Sequence, residues 1–187
     1  MIPHYSYHYE EVMENNEVFE IQNFTLELNT LDPINSKTHN YFQASLQLLV
    51  DFLSQNVLDK KMNAQFELSV HECDEDKICQ LNQQYRGKNK KTDVLSFPIH
   101  ENLRANSIKE SGDIIHLGDI YICKEVALEQ SSRFELSYEE EFIHLFFHGF
   151  LHLCGFDHEL SPSEEKLMKK HETQLLKSLA LLVSKNQ

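Results

Sequence analysis

SYEEEFIHLFFHGFLHLCGFDH, residues 137–158, is the stretch from which the fold and the chemistry are read. His148 and His152 are four residues apart, so on a helix of about 3.6 residues per turn they stand one above the other on one face and can reach a common ion. Gly155 falls where a glycine can take the left-handed conformation that ends a helix, and the reversed chain then brings His158 back toward the same point. Three imidazoles with a fourth position left open is the ligand set of a catalytic metal; a structural site would be closed by a fourth protein ligand. Zinc suits neutral imidazoles best, and nickel, copper and iron also accept them.

The spacing matches that of the H-E-x-x-H-x-x-G-x-x-H zinc-protease signature, except that Gly149 stands where the glutamate would be. The metal cradle is present and the protease's proton-shuttling base is not. A metal with an open position provides acidified water at neutral pH, which points to hydrolysis. A phosphodiester requires charge stabilisation on its oxygens, which a metal and Arg86 together can provide, so the pattern favours a phosphodiesterase over a peptidase. His144 lies on the same helical face and reads first as a packed histidine, second as a partner of a ligand or substrate. Glu141 and Asp157 read as helix surface and loop, or as partners for imidazole nitrogens.

Working outward, Ser137 and Glu140 form a capping box that starts the histidine helix, and its apolar residues surround most of the helix, so it should be buried at the centre of the protein. Ser161, Pro162 and Glu164 mark a second helix start, running through about residue 183. Upstream, Phe24, Leu26 and Leu28 alternate as a strand, as do Phe66, Leu68 and Val70; further strands span 92–98 and 114–123. Residues 37–57, 74–85 and 124–134 carry helical spacing. Gly118 inside a strand marks a bulge or a close backbone approach, and 100–112 reads as a loop. The expected fold is α+β, a mixed sheet of about four strands packed with helices around the buried metal-binding helix.

The 187 residues suit one domain: an acidic N-terminal extension over 1–36 that includes a first strand, followed by the main body over 37–187. The extension contributes seven acidic residues before the first basic one, Lys37, to a net charge of −13. Against that background Arg86, Lys88, Lys90 and Lys91 form a local basic loop that reads equally as a phosphate contact or as a solvated loop tip. Apolar runs are too short to span a membrane, the beginning of the chain does not have the pattern of a signal peptide, and the four cysteines have no paired spacing; a reduced, cytoplasmic protein without a membrane partner is expected.

Three blocks in this order resemble the YbeY endoribonucleases, the bacterial rRNA maturation factors. They are HGFLHLCGFDH over 148–158, LN…YR…TDVLSF from Leu81 through Arg86 to Phe97, and LGDI over 117–120. The resemblance covers about residues 37–183. It implies a zincin-like fold, one zinc ion on His148, His152 and His158, a catalytic role for Arg86, and cleavage of single-stranded RNA, not DNA. It further implies a setting in 16S rRNA 3′-end maturation and ribosome quality control on the small ribosomal subunit. Phe156 stands where the family often has tyrosine. Two other readings share the cradle: a zincin-type metallopeptidase, and a non-catalytic assembly factor that uses zinc for stability.

Overall fold

The computed structural model describes residues 15–57, 64–100, 103–105 and 114–185. Its strands are β1 (Asn15–Ile21), β2 (Phe24–Thr30), β3 (Gln65–Cys73), β4 (Val94–Pro98) and β5 (Ile114–Cys123). Its helices are α1 (Ser36–Asn56), α2 (Glu75–Arg86), α3 (Lys124–Arg133), α4 (Tyr138–Leu153) and α5 (Pro162–Lys185). The strands form one mixed sheet in the order β1-β2-β3-β5-β4, with β2, β3 and β5 parallel and the two outer strands antiparallel to their neighbours. The α+β expectation holds. Among the described residues no helix is long and apolar enough to cross a membrane.

The expectation of about four strands is corrected to five. The extra strand is β1, in a segment whose own pattern gave no element. Burial alternates along it, but only Phe19 of its seven residues is buried and Asn15 and Glu17 share its face, so the apolar alternation that betrays a strand in sequence is missing. β1 exists because β2 offers it a partner, through a two-residue turn in which Gln22 adopts φ 50°. The expected loop over 100–112 lies mostly outside the described residues; within it Leu103–Ala105 makes one turn of 3-10 helix.

Two local rules position the rest. Ser137 caps α4 by accepting from the Glu140 amide while the Glu140 carboxylate accepts from the Ser137 amide, the full capping box. At α5 the box is half built. Ser161 accepts from the Glu164 amide, but the Glu164 carboxylate turns away to Arg104. Helix α4 is then buried on nearly every side but one. Phe42 of α1 meets Phe142 and Phe146, and Phe52 meets Phe150, so α1 lies across α4 with aromatic edges interlocked.

Against the sheet the fit is closer still. A Cβ on Gly149 would lie 2.8 Å from Ile120 Cγ2 and 3.0 Å from Ser96 Oγ. The glycine therefore lets α4 settle against β4 and β5, and the position has no room for a glutamate unless the sheet gives way. Gly118 makes the second close approach. Next to a register shift between β3 and β5, it adopts φ 134°, and a Cβ there would lie 2.1 Å from the Phe97 carbonyl oxygen. The close backbone approach read from the sequence is thus seen directly.

Candidate functional site

The last turn of α4 and the segment after it bring the three histidines together. The Gly155 amide donates to the His152 carbonyl (2.9 Å) and the Phe156 amide to the Leu151 carbonyl (3.0 Å), with Gly155 at φ 89°. This pair of bonds with a left-handed glycine is the Schellman ending. Phe156 is buried in the core behind it, and Asp157 accepts from the Glu159 amide (2.9 Å), so the chain reverses sharply and delivers His158. Ring centroids of His148, His152 and His158 are 4.9, 5.2 and 5.0 Å apart. One ligand nitrogen from each lies within 4.8 Å of the others.

The donor chemistry suits a soft-to-borderline divalent cation. His148 Nδ1 is engaged by Glu172 Oε1 at 2.9 Å, which leaves Nε2 facing His152 Nε2 at 3.2 Å. Burial, reinforced by the neighbouring His148 and His158, pushes the His152 pKa down to about 4, so this imidazole keeps its lone pair at neutral pH. Three imidazole nitrogens converging on one point, one of them backed by a carboxylate, could hold zinc.

Glu172 was not singled out from the sequence. It comes from α5, far along the chain, yet a signal for it exists: Met168, Leu175 and Leu179 are buried, and position 172 falls on the same helical stripe, where a carboxylate is out of place. Burial opposes its ionisation, but hydrogen bonds with His144 and His148 prevail and hold its pKa down to about 2. His144 sits between Glu141 Oε2 (3.4 Å) and Glu172 Oε1 (3.7 Å), and those two carboxylates raise its pKa to about 10. It is thus a charged bridge between carboxylates, not a residue packed on backbone. Glu141 serves His144 and Asp157 caps the turn; the carboxylate that backs a triad histidine is Glu172.

The histidines line a cleft of about 880 Å³ together with Arg86, Tyr85, Thr92, Ser96 and Glu159. Arg86 occupies the last turn of α2, which Gly87 ends at φ 66° by donating its amide to the Gln83 carbonyl (3.1 Å). Its side chain is 41% exposed and lies 3.5 Å from Glu159 Oε1, a loose pair free to turn to another anion. Asn82 Nδ2 donates to the Lys90 carbonyl (2.7 Å) and ties the basic loop back to α2. Asp93, at the start of β4, accepts from the Val94 amide (2.9 Å) and Gln130 (2.9 Å), which pins the cleft wall to α3. Cys154 lies fully buried in the core, its thiol pKa raised by burial.

Comparison with known proteins places this geometry. The family model described as Endoribonuclease YbeY matches residues 33–180. The curated protein "Endoribonuclease YbeY" of Caldicellulosiruptor bescii is 43% identical over 119 residues, covering 62% of this chain and 75% of that protein. Its namesake in Acetivibrio thermocellus is 37% identical over 142 residues, covering 73% of this chain and 87% of that one. A solution structure from Thermotoga maritima superposes with a TM-score of 0.55 at 26% identity, covering 86% of this chain and 93% of that chain.

Proposed function

The chain belongs to the YbeY endoribonuclease family, and we propose that it is a zinc-dependent endoribonuclease of the cytoplasm that cleaves single-stranded RNA. The proposal extends to 3′-end maturation of 16S rRNA and to ribosome quality control, with the small ribosomal subunit as the setting. One observation carries it: three histidines with convergent nitrogens share one cleft with an exposed arginine contributed by a different helix. A buried helix bearing two of the histidines beside a mixed sheet, with the third after a glycine turn, supports the zincin-like reading.

In this reading His148, His152 and His158 hold one zinc ion, with Glu172 fixing the ring of His148 through Nδ1. Zinc bound there supplies Lewis-acid stabilisation of charge on phosphate oxygens and an acidified water. Arg86 swings from Glu159 to the scissile phosphate and stabilises the charge that grows on its oxygens. Tyr85 and Phe97, in edge contact at 4.8 Å on the cleft wall, offer ring faces against which an unpaired base can rest. A peptidase reading is disfavoured because Ser96 and Ile120 fill the space that its base would occupy.

The test is metal content and cleavage of one single-stranded RNA, measured side by side for wild type, His152→Ala and Arg86→Glu. His152→Ala should lose both; Arg86→Glu should keep the metal and lose cleavage. Full activity in Arg86→Glu would remove that residue from the chemistry. Zinc-loaded wild type that cuts no RNA, alone or with small subunits, would make the protein a non-catalytic assembly factor.

A further inference from the structure

We propose that the outward face of α5 is the track along which the RNA backbone runs as it leaves the histidine cleft; this rests on the endoribonuclease reading above. The face carries Lys166, Lys169, Lys170 and Lys177, with Thr173 and Gln174 between them and Ser178 and Leu181 beyond, along a shallow groove of about 500 Å³. No acidic residue lines it. Two acids of this helix are committed elsewhere, Glu164 to Arg104 and Glu172 to His144 and His148, while the third, the exposed Glu165, lines the neighbouring pocket beside Lys169 and not the groove.

Among the described residues the row differs from six other basic groups and shares its lack of a carboxylate partner with Lys88 and Lys90 of the basic loop. Lys37, Arg86, Lys91, Arg104, Lys124 and Arg133 each lie within 4 Å of a carboxylate. Among the described residues, none of the four α5 lysines is held in an ion pair. On a protein of net charge −13 an unneutralised basic row is the place where a polyanion can find charge complementarity, since phosphate binding draws its free energy from lysines able to release counterions.

Continuity with the site gives the row a direction. Lys169 also lines the pocket that holds His148, His158 and Glu172, whereas Arg86 lies in the cleft that holds all three histidines. A strand held by Arg86 can thus pass the histidines and continue onto α5. From Lys166 to Lys177 the helix rises about 16 Å at 1.5 Å per residue, enough to follow several nucleotides. A lipid surface fits less well, because Met168, Leu175 and Leu179 of α5 are buried inside the protein and the lysines are interleaved with polar residues, Leu181 being the single exposed apolar side chain of the groove.

The test compares wild type with Lys166→Gln/Lys170→Gln/Lys177→Gln, three exposed positions outside the catalytic cleft. Two substrates are used: a short single-stranded RNA that fills only the cleft, and a long one that extends beyond it. For the long strand KM should rise roughly ten-fold at unchanged kcat, and the slope of log affinity against log salt should become shallower by about 2. Cleavage of the short strand should not change, and the triple Lys→Arg variant should behave as wild type. Equal KM and salt slope in the Gln variant, with wild type active, would overturn the track and leave the enzyme reading intact. A variant that loses binding to anionic phospholipid vesicles but not to RNA would assign the row to a membrane and overturn the track as well. Wild type that cleaves neither strand overturns the enzyme reading, and the track falls with it.

Discussion

Glu172 Oε1 lies 2.9 Å from His148 Nδ1, so a carboxylate on the last helix orients a histidine on the central one. Such carboxylate partners fix the ring, fix its tautomer and raise its basicity as a ligand. If the three histidines hold the proposed zinc, Glu172→Gln should keep the fold but weaken its binding by about 10- to 100-fold. Competition with a chelating dye measures this, and an unchanged affinity would show that the contact does not orient the ligand.

His144 gives the site a pH signature of its own. Its folded pKa, about 10, lies above the ordinary 6.5, because Glu141 and then Glu172 stabilise its charged form. A raised basic pKa contributes stability that is complete below 6.5 and is lost as pH climbs toward 10. Glu172, depressed from 4.5 to about 2, contributes stability that is complete above 4.5 and is lost as pH falls toward 2. Urea midpoints of the metal-free protein should therefore be highest between these limits, and His144→Gln should flatten the decline on the alkaline side. An alkaline limb of the same steepness in the variant would contradict the bridge.

Gly118 should tolerate no side chain. Gly118→Ala would force a methyl group against the Phe97 carbonyl and hold an L-residue at φ 134°, two independent strains that together destabilise by about 3 kcal/mol or more. Chemical denaturation should show a large drop in midpoint with the slope unchanged.

Arg104 secures the turn behind His158. Its guanidinium lies 4.1 Å from the Phe156 ring centroid, donates to the Gly155 carbonyl (3.3 Å) and pairs with Glu164 (2.7 Å). Arg104→Ala should cost about 1 kcal/mol of stability and speed hydrogen exchange at the Gly155 and Phe156 amides more than at amides in mid-α4. Uniform exchange along both segments would show that the turn holds without it.

Much of this architecture was legible because its causes are local. Ser137 with Glu140, and Gly155 after His152, are short-range rules, and the structure obeys them at the positions the sequence marks. What escaped depends on partners remote in the chain. β1 has one buried residue and becomes a strand only beside β2. Glu172 stands out only as a carboxylate on an apolar stripe, and its partner is unknown until α5 is laid against α4. The carboxylate of Glu164 completes no capping box because Arg104 competes for it. Gly149 was readable only as a base that is missing; its packing against Ile120 and Ser96 becomes visible once the sheet lies against the helix.

The Schellman turn at Gly155 has a consequence for the order in which the site is assembled. All three imidazoles lie on one helix and the turn that ends it, so gathering them closes only short loops and loses little chain entropy. The other members of the site come from farther away: Glu172 is 24 residues from His148, and Arg86 is 73 from the Glu159 it meets. They arrive only when long-range packing is complete. The capacity to hold an ion is thus a local property of the chain and the capacity to cut RNA a global one, so a refolding protein should regain its metal before its activity.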